Sequence, residues 1–378
     1  MSSGPNPFEA GDGVRPPALT GRDAELTEVI RHLLALADGV AMPPLLVTAR
    51  HGMGKTVFLH EVARQVRSHG WSPVVVPLGA GGELMLEVAR GLAAAALHRA
   101  RRAGRSPAPQ LAEARALAIA AGADLPLDTP PADLGAGGPS AVLAGALRAA
   151  GRAATDDDLR GGPVVLIDDA HHAPADDRRA VLDAVASAGR EPSRATVVLC
   201  GLPGTIPRGT VCSEVGLPRL DAAAVVDAVR RPCEAAGVTI DEAALRAIAR
   251  RCAGVPWFVQ AMAGAAWPGP TAPARITADD VLGSVLAAEH ALATRFFGPV
   301  LDSLDADETR IVRGVADLGE QATFPAVAHL LGDPDWFTPE RSALAPRCGT
   351  LVRRGVLYPD GERLCLALPL LDRYLRSR

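Results

Sequence analysis

The sequence predicts an α/β fold with a doubly wound parallel sheet, followed by a helical segment and a C-terminal winged helix-turn-helix domain. Three observations carry this. Leu45, Leu46 and Val47 form an apolar run that opens into the glycine-rich stretch A-R-H-G-M-G-K-T at 49–56, with a helical pattern behind it. Val164-Val165-Leu166-Ile167, after Gly162-Pro163, is a second apolar run and ends in Asp168 and Asp169. Such unbroken runs mark strands covered on both faces. The chain closes with three helical patterns and a turn-bearing hairpin.

Bulk composition bounds the rest. At 378 residues the chain is long enough for two or three domains, each burying a core. Apolar residues make up 48% but aromatics only 3%, so the cores rest on Ala, Leu and Val. A net charge of −4 excludes a global basic field of the kind that announces a nucleic-acid partner. The cysteines (Cys200, Cys212, Cys233, Cys252, Cys348, Cys365) form no C-x-x-C pair and no ligand-like spacing, which points to a reduced, cytoplasmic setting. No apolar run approaches the ~20 residues of a membrane-spanning helix, so no membrane partner is expected. Residues 1–17, rich in Gly and Pro, read as a disordered lead-in.

An α/β core is expected over 18–218. Thr20 is placed to cap a helix running to about Ala37, with Leu26, Val29, Ile30, Leu33 and Leu34 on one face. Leu45–Thr48 is the first strand. The loop and helix that follow have the layout of a phosphate-binding P-loop. The chain holds 39 Lys and Arg together, and Lys55 is its one lysine. A compact ammonium on a flexible stem can curl over a phosphate-filled loop, whereas a planar guanidinium fork is wider and differently aimed. In this reading Gly52, Met53, Gly54, Lys55, Thr56 and Val57 form the cradle. The glycines let N–H groups turn inward, the helix N-terminus adds positive potential, Lys55 bridges the β- and γ-phosphates, and the Thr56 hydroxyl binds Mg²⁺. Ala49 stands where the motif has its first glycine, at a place where positive φ is not required.

Trp71–Leu78 reads as the second strand, followed by a helix from Glu83 to Arg102. An Ala- and Pro-rich insert covers about 103–138, partly helical around Leu111–Ala121. A helix near Ala141–Ala154 leads to the strand ending at Asp168-Asp169. Carboxylates at such a tip lie where open α/β sheets bind ligands. Asp168 is assigned to Mg²⁺ and Asp169 to the attacking water. His171 and His172 are adjacent, so they should point apart as a solvated pair and not as metal ligands. Ala195–Cys200 is the next strand. Its tip, Cys200-Gly201, lacks a polar side chain, and the nearest hydroxyl is Thr205. Arg208 and Arg219 are the nearby loop arginines that could act across a subunit boundary.

Residues 219–268 read as a helical lid: Asp221–Ala236, Asp241–Cys252, then Gly254-Val255-Pro256-Trp257-Phe258-Val259-Gln260 opening another helix. Residues 269–277 form a linker, within a Pro-rich stretch that starts at Trp267. The end domain covers 278–378. It opens with a helix Ala278–Arg295, then helices over 304–318, 324–331 and 339–354, with Pro346 and Gly349 interrupting the last. Gly355–Tyr358, the turn Pro359-Asp360-Gly361 and Arg363–Leu368 form the hairpin.

Taken together, Gly21-Arg22-x-x-Glu25-Leu26, the loop, the Asp168-Asp169 strand, the G-x-P element and the hairpin domain resemble AAA+ and signal-transduction P-loop ATPases of the bacterial origin-recognition-like type. The resemblance implies that Gly21 and Arg22 lie beside the adenine and that Pro256 packs near the nucleotide, so lid orientation reports nucleotide state. It implies ATP and Mg²⁺ as cofactors and an ATP-binding molecular switch with slow hydrolysis. Lys55 and Asp169 are its catalytic pair and Thr56 and Asp168 its metal ligands. The winged helix would then move toward duplex DNA or a protein partner, self-association included, with Arg341, Arg347, Arg353 and Arg354 available. Asp169 in place of the usual Glu, and the bare Cys200-Gly201 tip, also fit a second function: a nucleotide-bound scaffold that hydrolyses little and works through protein contacts.

Overall fold

The computed structural model describes residues 5–11, 13–79, 82–103, 139–155, 161–189, 195–206, 209–268, 274–333, 335 and 342–376. The expected insert at 103–138, with its helix at 111–121, lies outside the described residues apart from Ala103. So do Arg208, Arg341 and most of the linker. The chain divides into two compact units. One comprises Glu25–Thr48 and Phe58–Gly216, and the other Met1–Ala24, Ala49–Val57 and Leu217–Arg378.

The first unit holds five parallel strands: β1 (Leu45–Thr48), β2 (Ser72–Pro77), β3 (Pro163–Asp168), β4 (Thr196–Gly201) and β5 (Ser213–Gly216), in the order β2-β3-β4-β1-β5. Every residue of β1, β3 and β4 is buried, as their unbroken Val, Leu and Ile runs require. The register pairs Thr48 with Gly201 and Leu199 with Ile167, so the C-terminal tips of the three central strands end at one edge. One side of the sheet is packed by Leu84, Val88, Leu143, Leu147, Val181 and Leu182 from three helices. Helix Leu84–Ala103 lies so close that a methyl on Gly91 would sit 2.5 Å from Val165.

Strand β5 carries no signal in the sequence. Ser-Glu-Val-Gly is too short for periodicity and contains one buried residue, Val215. It forms because β1 offers an open edge, and Thr48 Oγ1 donates to Glu214 Oε1 at 2.7 Å beside it. The first helix, α1, runs Asp23–Ala37. Its N-terminus corrects one expectation: Thr20 is not its cap. That hydroxyl instead donates to the Ala224 carbonyl at 2.8 Å.

In the second unit three helices, Ala222–Ala235, Glu242–Cys252 and Pro256–Ala265, pack together. Asp221 caps the first by accepting from Ala224 N–H. The described residues of the 1–17 stretch include an anchor not expected of a disordered lead-in. Phe8 is buried with its ring edge-on to Trp267, and Asn6 donates to the Gly264 carbonyl at 3.0 Å. One aromatic and one amide supply an anchor that average composition hides. The single helix expected over 278–295 is divided into Ala278–Gly283, Val285–Ala291 and a π-turn Leu292–Phe297, with Gly283-Ser284 at the break. Of the chain's few aromatics, Trp257, Phe258, Phe296, Phe297 and Tyr374 form one contiguous stack, with centroid spacings of 4.8–6.3 Å between neighbouring rings.

The C-terminal part contains helices Ala306–Leu318, Phe324–Leu331 and Ala345–Arg353, then an antiparallel hairpin of Leu357–Asp360 with Arg363–Leu366. Pro346 does not interrupt the third of these helices: it sits in the first turn, where a missing N–H costs nothing. A bridge from Thr323 to Arg363 adds a third strand position to the hairpin.

His32 is a buried imidazole on α1, and loss of hydration lowers its pKa. A hydrogen bond to the Pro43 backbone and the Glu28 charge oppose that loss more weakly. The unfolded chain therefore takes up a proton at His32 before the folded one does. Stability from this site is intact above the unfolded value of 6.5 and falls as pH drops through it. Thermal unfolding between pH 7.5 and 5 should show a smaller loss of Tm for His32→Leu than for the wild type.

Candidate nucleotide site

Strand β1 ends at Thr48, and the chain leaves it through Ala49, which is buried and not among the residues with positive φ. Alanine therefore fits where the motif has glycine. Gly52 and Gly54 have φ of 71° and 85°, a region closed to most side chains. A methyl on Gly52 would meet Phe296 at 2.7 Å, so this glycine is needed for space as well as for conformation. At Gly54 nothing lies within 4 Å of that position, leaving open space over the loop. Helix α2 (Lys55–Arg67) starts immediately after it. The first-turn N–H groups of a helix have no carbonyl partner inside the helix and form an anion-binding end. Lys55 is 6% exposed, a buried ammonium at that end.

Several sequence-predicted residues converge on this loop. Arg22, also buried, donates from Nη2 to the Met53 carbonyl at 3.3 Å. Gly21 has φ 64°, and a methyl there would lie 2.5 Å from Ala224 Cβ. The Trp257 N–H, one residue after Pro256, donates to the Gly52 carbonyl at 3.2 Å. Gly21-Arg22, the loop and the Pro256 helix are thus brought together. Gly254 allows the approach: it has φ 73°, and a methyl on it would lie 2.3 Å from the Leu220 carbonyl oxygen. The Gly254 carbonyl accepts from Leu220 N–H at 2.8 Å. From the lead-in, Gly13 runs alongside Thr56, where a methyl would meet Thr56 Cγ2 at 3.1 Å.

In the sheet unit, Asp168 is 2% exposed at the end of β3, and its Oδ1 accepts from Asp169 N–H at 2.9 Å. Asp169 itself adopts φ 52°, ψ 37°, a left-handed conformation that aspartate tolerates better than most residues. The chain then turns through Ala170–His172, with His172 N–H donating to the Asp169 carbonyl. The expected solvated histidine pair is corrected here. His171 is buried, its ring is tilted against His172 at 4.2 Å, and its Nδ1 lies 3.8 Å from Asp169 Oδ1. Thr205 covers the β4 tip and donates its hydroxyl to the Leu202 carbonyl.

Among the described residues no group of three or more His, Cys, Asp or Glu could hold a metal ion. Thr56 in the one unit and Asp168 in the other each carry a hard oxygen donor, the kind that Mg²⁺ takes alongside waters and phosphate oxygens. The glycine turn, the buried Lys55 and the open side of Gly54 fit a phosphate group.

The residues that sequence reasoning missed are Arg50 and His51, which hydrogen-bond to the C-terminal hairpin, and Arg373. Arg219, one of the two loop arginines that could act across a subunit boundary, donates to the Ala253 carbonyl at 3.0 Å. Loss of hydration and the like charges of Arg50 and Arg373 lower its pKa. The targets are backbone carbonyls, which leave no trace in residue type.

A parallel α/β sheet whose β1 runs through a glycine turn into a helix defines the P-loop class. Residues 18–199 match the AAA ATPase domain family. No curated protein matches the chain. Among solved structures, the Walker-type ATPase PABY2304 of Pyrococcus abyssi is similar at 12% identity and TM-score 0.58, over 98% of this chain and 99% of that one. The RuvB Holliday junction branch migration motor of Thermotoga maritima is matched at 14% identity and TM-score 0.46, over 97% and 99% of the two chains. Orc1 of Aeropyrum pernix, in complex with DNA, is matched at 16% identity and TM-score 0.45, over 96% and 94%. The family match supports an AAA+ P-loop ATPase domain over 18–199, and the likeness to the Pyrococcus ATPase, at 12% identity, is one of fold. Among the described residues no helix is long and apolar enough to cross a membrane.

Gly254→Ala should lower stability by more than about 2 kcal/mol, since both positive φ and a carbonyl clash oppose it. Gly237→Ala, at φ 69° with nothing within 4 Å, should cost only about 1 kcal/mol. Chemical denaturation of the two variants side by side checks the difference.

Proposed function

We propose that the protein is an ATP-binding molecular switch with slow Mg²⁺-dependent hydrolysis. In it, the Pro256 helix closes on nucleotide and repositions a C-terminal winged helix. The observation that carries this is the loop itself: the chain's one lysine, buried at a helix N-terminus behind two glycines of positive φ. Lys55 and the N–H groups from Gly52 to Val57 would hold the β- and γ-phosphates, with Gly21 and Arg22 beside the base and Pro256 on the lid. Mg²⁺, when bound, would neutralise developing phosphate charge, and Thr56 and Asp168 are the residues to hold it. Asp169 would orient the water. The winged-helix reading is supported by three helices, a hairpin and the Thr323–Arg363 bridge in the expected order.

Radiolabelled ATP should be bound and slowly released as phosphate by the wild type. Lys55→Ala should bind about ten- to a hundredfold more weakly, the cost of a lost charge-assisted hydrogen bond. A wild type that binds no ATP overturns the reading. Retention of ATP without phosphate release favours the nucleotide-bound scaffold, a reading that the left-handed Asp169 and the tied Thr205 hydroxyl support.

For the moving domain, a protein partner is better supported than duplex DNA. Arg347 is paired with Asp305 at 2.6 Å and Asp307 at 3.0 Å, and Arg354 with Glu308 at 2.9 Å. Phosphate contacts by these arginines would first have to break those pairs. Duplex binding should therefore be weak in low salt, with a shallow slope of log affinity against log salt. Fluorescence anisotropy against a labelled duplex measures it, and a steep slope would restore DNA as the partner.

A further inference from the structure

The peptide segment shaped to cradle phosphate also holds the C-terminal hairpin. Arg50 and His51 occupy two of the four positions that the loop motif leaves unspecified. Arg50 donates from Nη2 to the carbonyls of Leu366 at 2.8 Å and Leu368 at 3.3 Å. The His51 N–H donates to the Ala367 carbonyl at 3.1 Å. His51 Nε2 lies 2.9 Å from the Gly355 oxygen, and because a carbonyl only accepts, that nitrogen carries the hydrogen. Gly355 leads into the hairpin and Leu366–Leu368 lead out of it, so the bonds grip both sides of its base. The Ala367 N–H in turn donates to Val356 O, tying the two sides together.

Two more features bear on what this grip does. The Arg50 bonds are to neutral carbonyls, and its buried Nε has no hydrogen-bond partner among the described residues. A phosphate oxygen is a stronger partner for a guanidinium than a carbonyl dipole is. Two residues past the Leu368 carbonyl, Leu370 adopts φ 63°, a conformation sterically disfavoured for leucine. Such strain persists only where surrounding contacts enforce it, and it gathers at elements that switch.

We propose that Arg50 and His51 form a latch through which phosphate in the loop sets how firmly the hairpin is held. The inference rests on the nucleotide-binding reading above. An anion in the loop draws Arg50 away from the Leu366 and Leu368 carbonyls, and the hairpin base loosens. Linkage runs both ways: a partner that lifts the hairpin releases Arg50 and changes the affinity of the loop for phosphate.

Amide hydrogen exchange of the full chain, with and without a slowly hydrolysed ATP analogue and Mg²⁺, tests this. Without nucleotide, amides over 356–368 should exchange on the order of tenfold faster in Arg50→Ala/His51→Ala than in the wild type. Added nucleotide should speed exchange of the same amides in the wild type and leave the double variant unchanged. Arg50→Lys keeps the charge but loses the fork, and should fall between them. If the double variant fails to fold, Arg50→Lys and His51→Gln carry the same comparison. Unchanged hairpin exchange without nucleotide overturns the latch, whatever nucleotide does. Nucleotide that binds without altering the wild-type hairpin overturns the coupling. A wild type that binds no nucleotide overturns the reading on which the coupling rests, while the nucleotide-free comparison still decides the latch.

Discussion

The backbone of residues 49–57 is held in a shape that only glycine at two positions allows, and much of the second unit is arranged to hold it there. Gly52 cannot carry a side chain because Phe296 stands 2.7 Å from where a methyl would be, and its carbonyl is taken by Trp257 N–H. The Met53 carbonyl is taken by Arg22. Both carbonyls are thereby satisfied by partners distant in sequence. This matters for an anion-binding loop, in which carbonyls turned toward the ligand would repel it. One of those partners, Trp257, belongs to the aromatic stack with Phe258, Phe296, Phe297 and Tyr374. Such rings contribute large buried area and defined geometry. In a chain with 3% aromatic residues, five of them are gathered in one place.

Charge is distributed with equal economy. Arginine carries every basic role but one, and the arginines divide by what they face. Arg347 and Arg354 face carboxylates and are neutralised within the C-terminal helices. Arg22, Arg50 and Arg219 face backbone carbonyls around the loop. A guanidinium that donates to a carbonyl spends hydrogen bonds there and not its charge, whereas one that faces a carboxylate is neutralised by it.

Much of the fold was legible from sequence because it is written in local patterns. The apolar runs of β1, β3 and β4 fall where expected, since strands covered on both faces are apolar through their length and keep polar residues, Thr48, Asp168 and Thr196, to their ends. Helix starts were less reliable. Thr20 has the right chemistry for a cap, yet a tertiary acceptor, the Ala224 carbonyl, takes its hydroxyl. Pro346 looked like a break and is a first-turn residue. Strand β5 was invisible because its stability comes from the neighbouring edge and not from its own four residues.

For the candidate site, the sequence by itself determined which residues could meet a phosphate: Gly52, Gly54, Lys55 and Thr56 are a short-range motif, and positive φ next to a helix start is a local requirement. The pairs that support the loop were decided only by tertiary structure. Arg22 on Met53, Trp257 on Gly52, and Arg50 and His51 on the hairpin all end on backbone carbonyls. Every residue has a carbonyl, so residue type cannot say which one will be chosen. Only the packing of distant segments brings a particular donor to a particular oxygen.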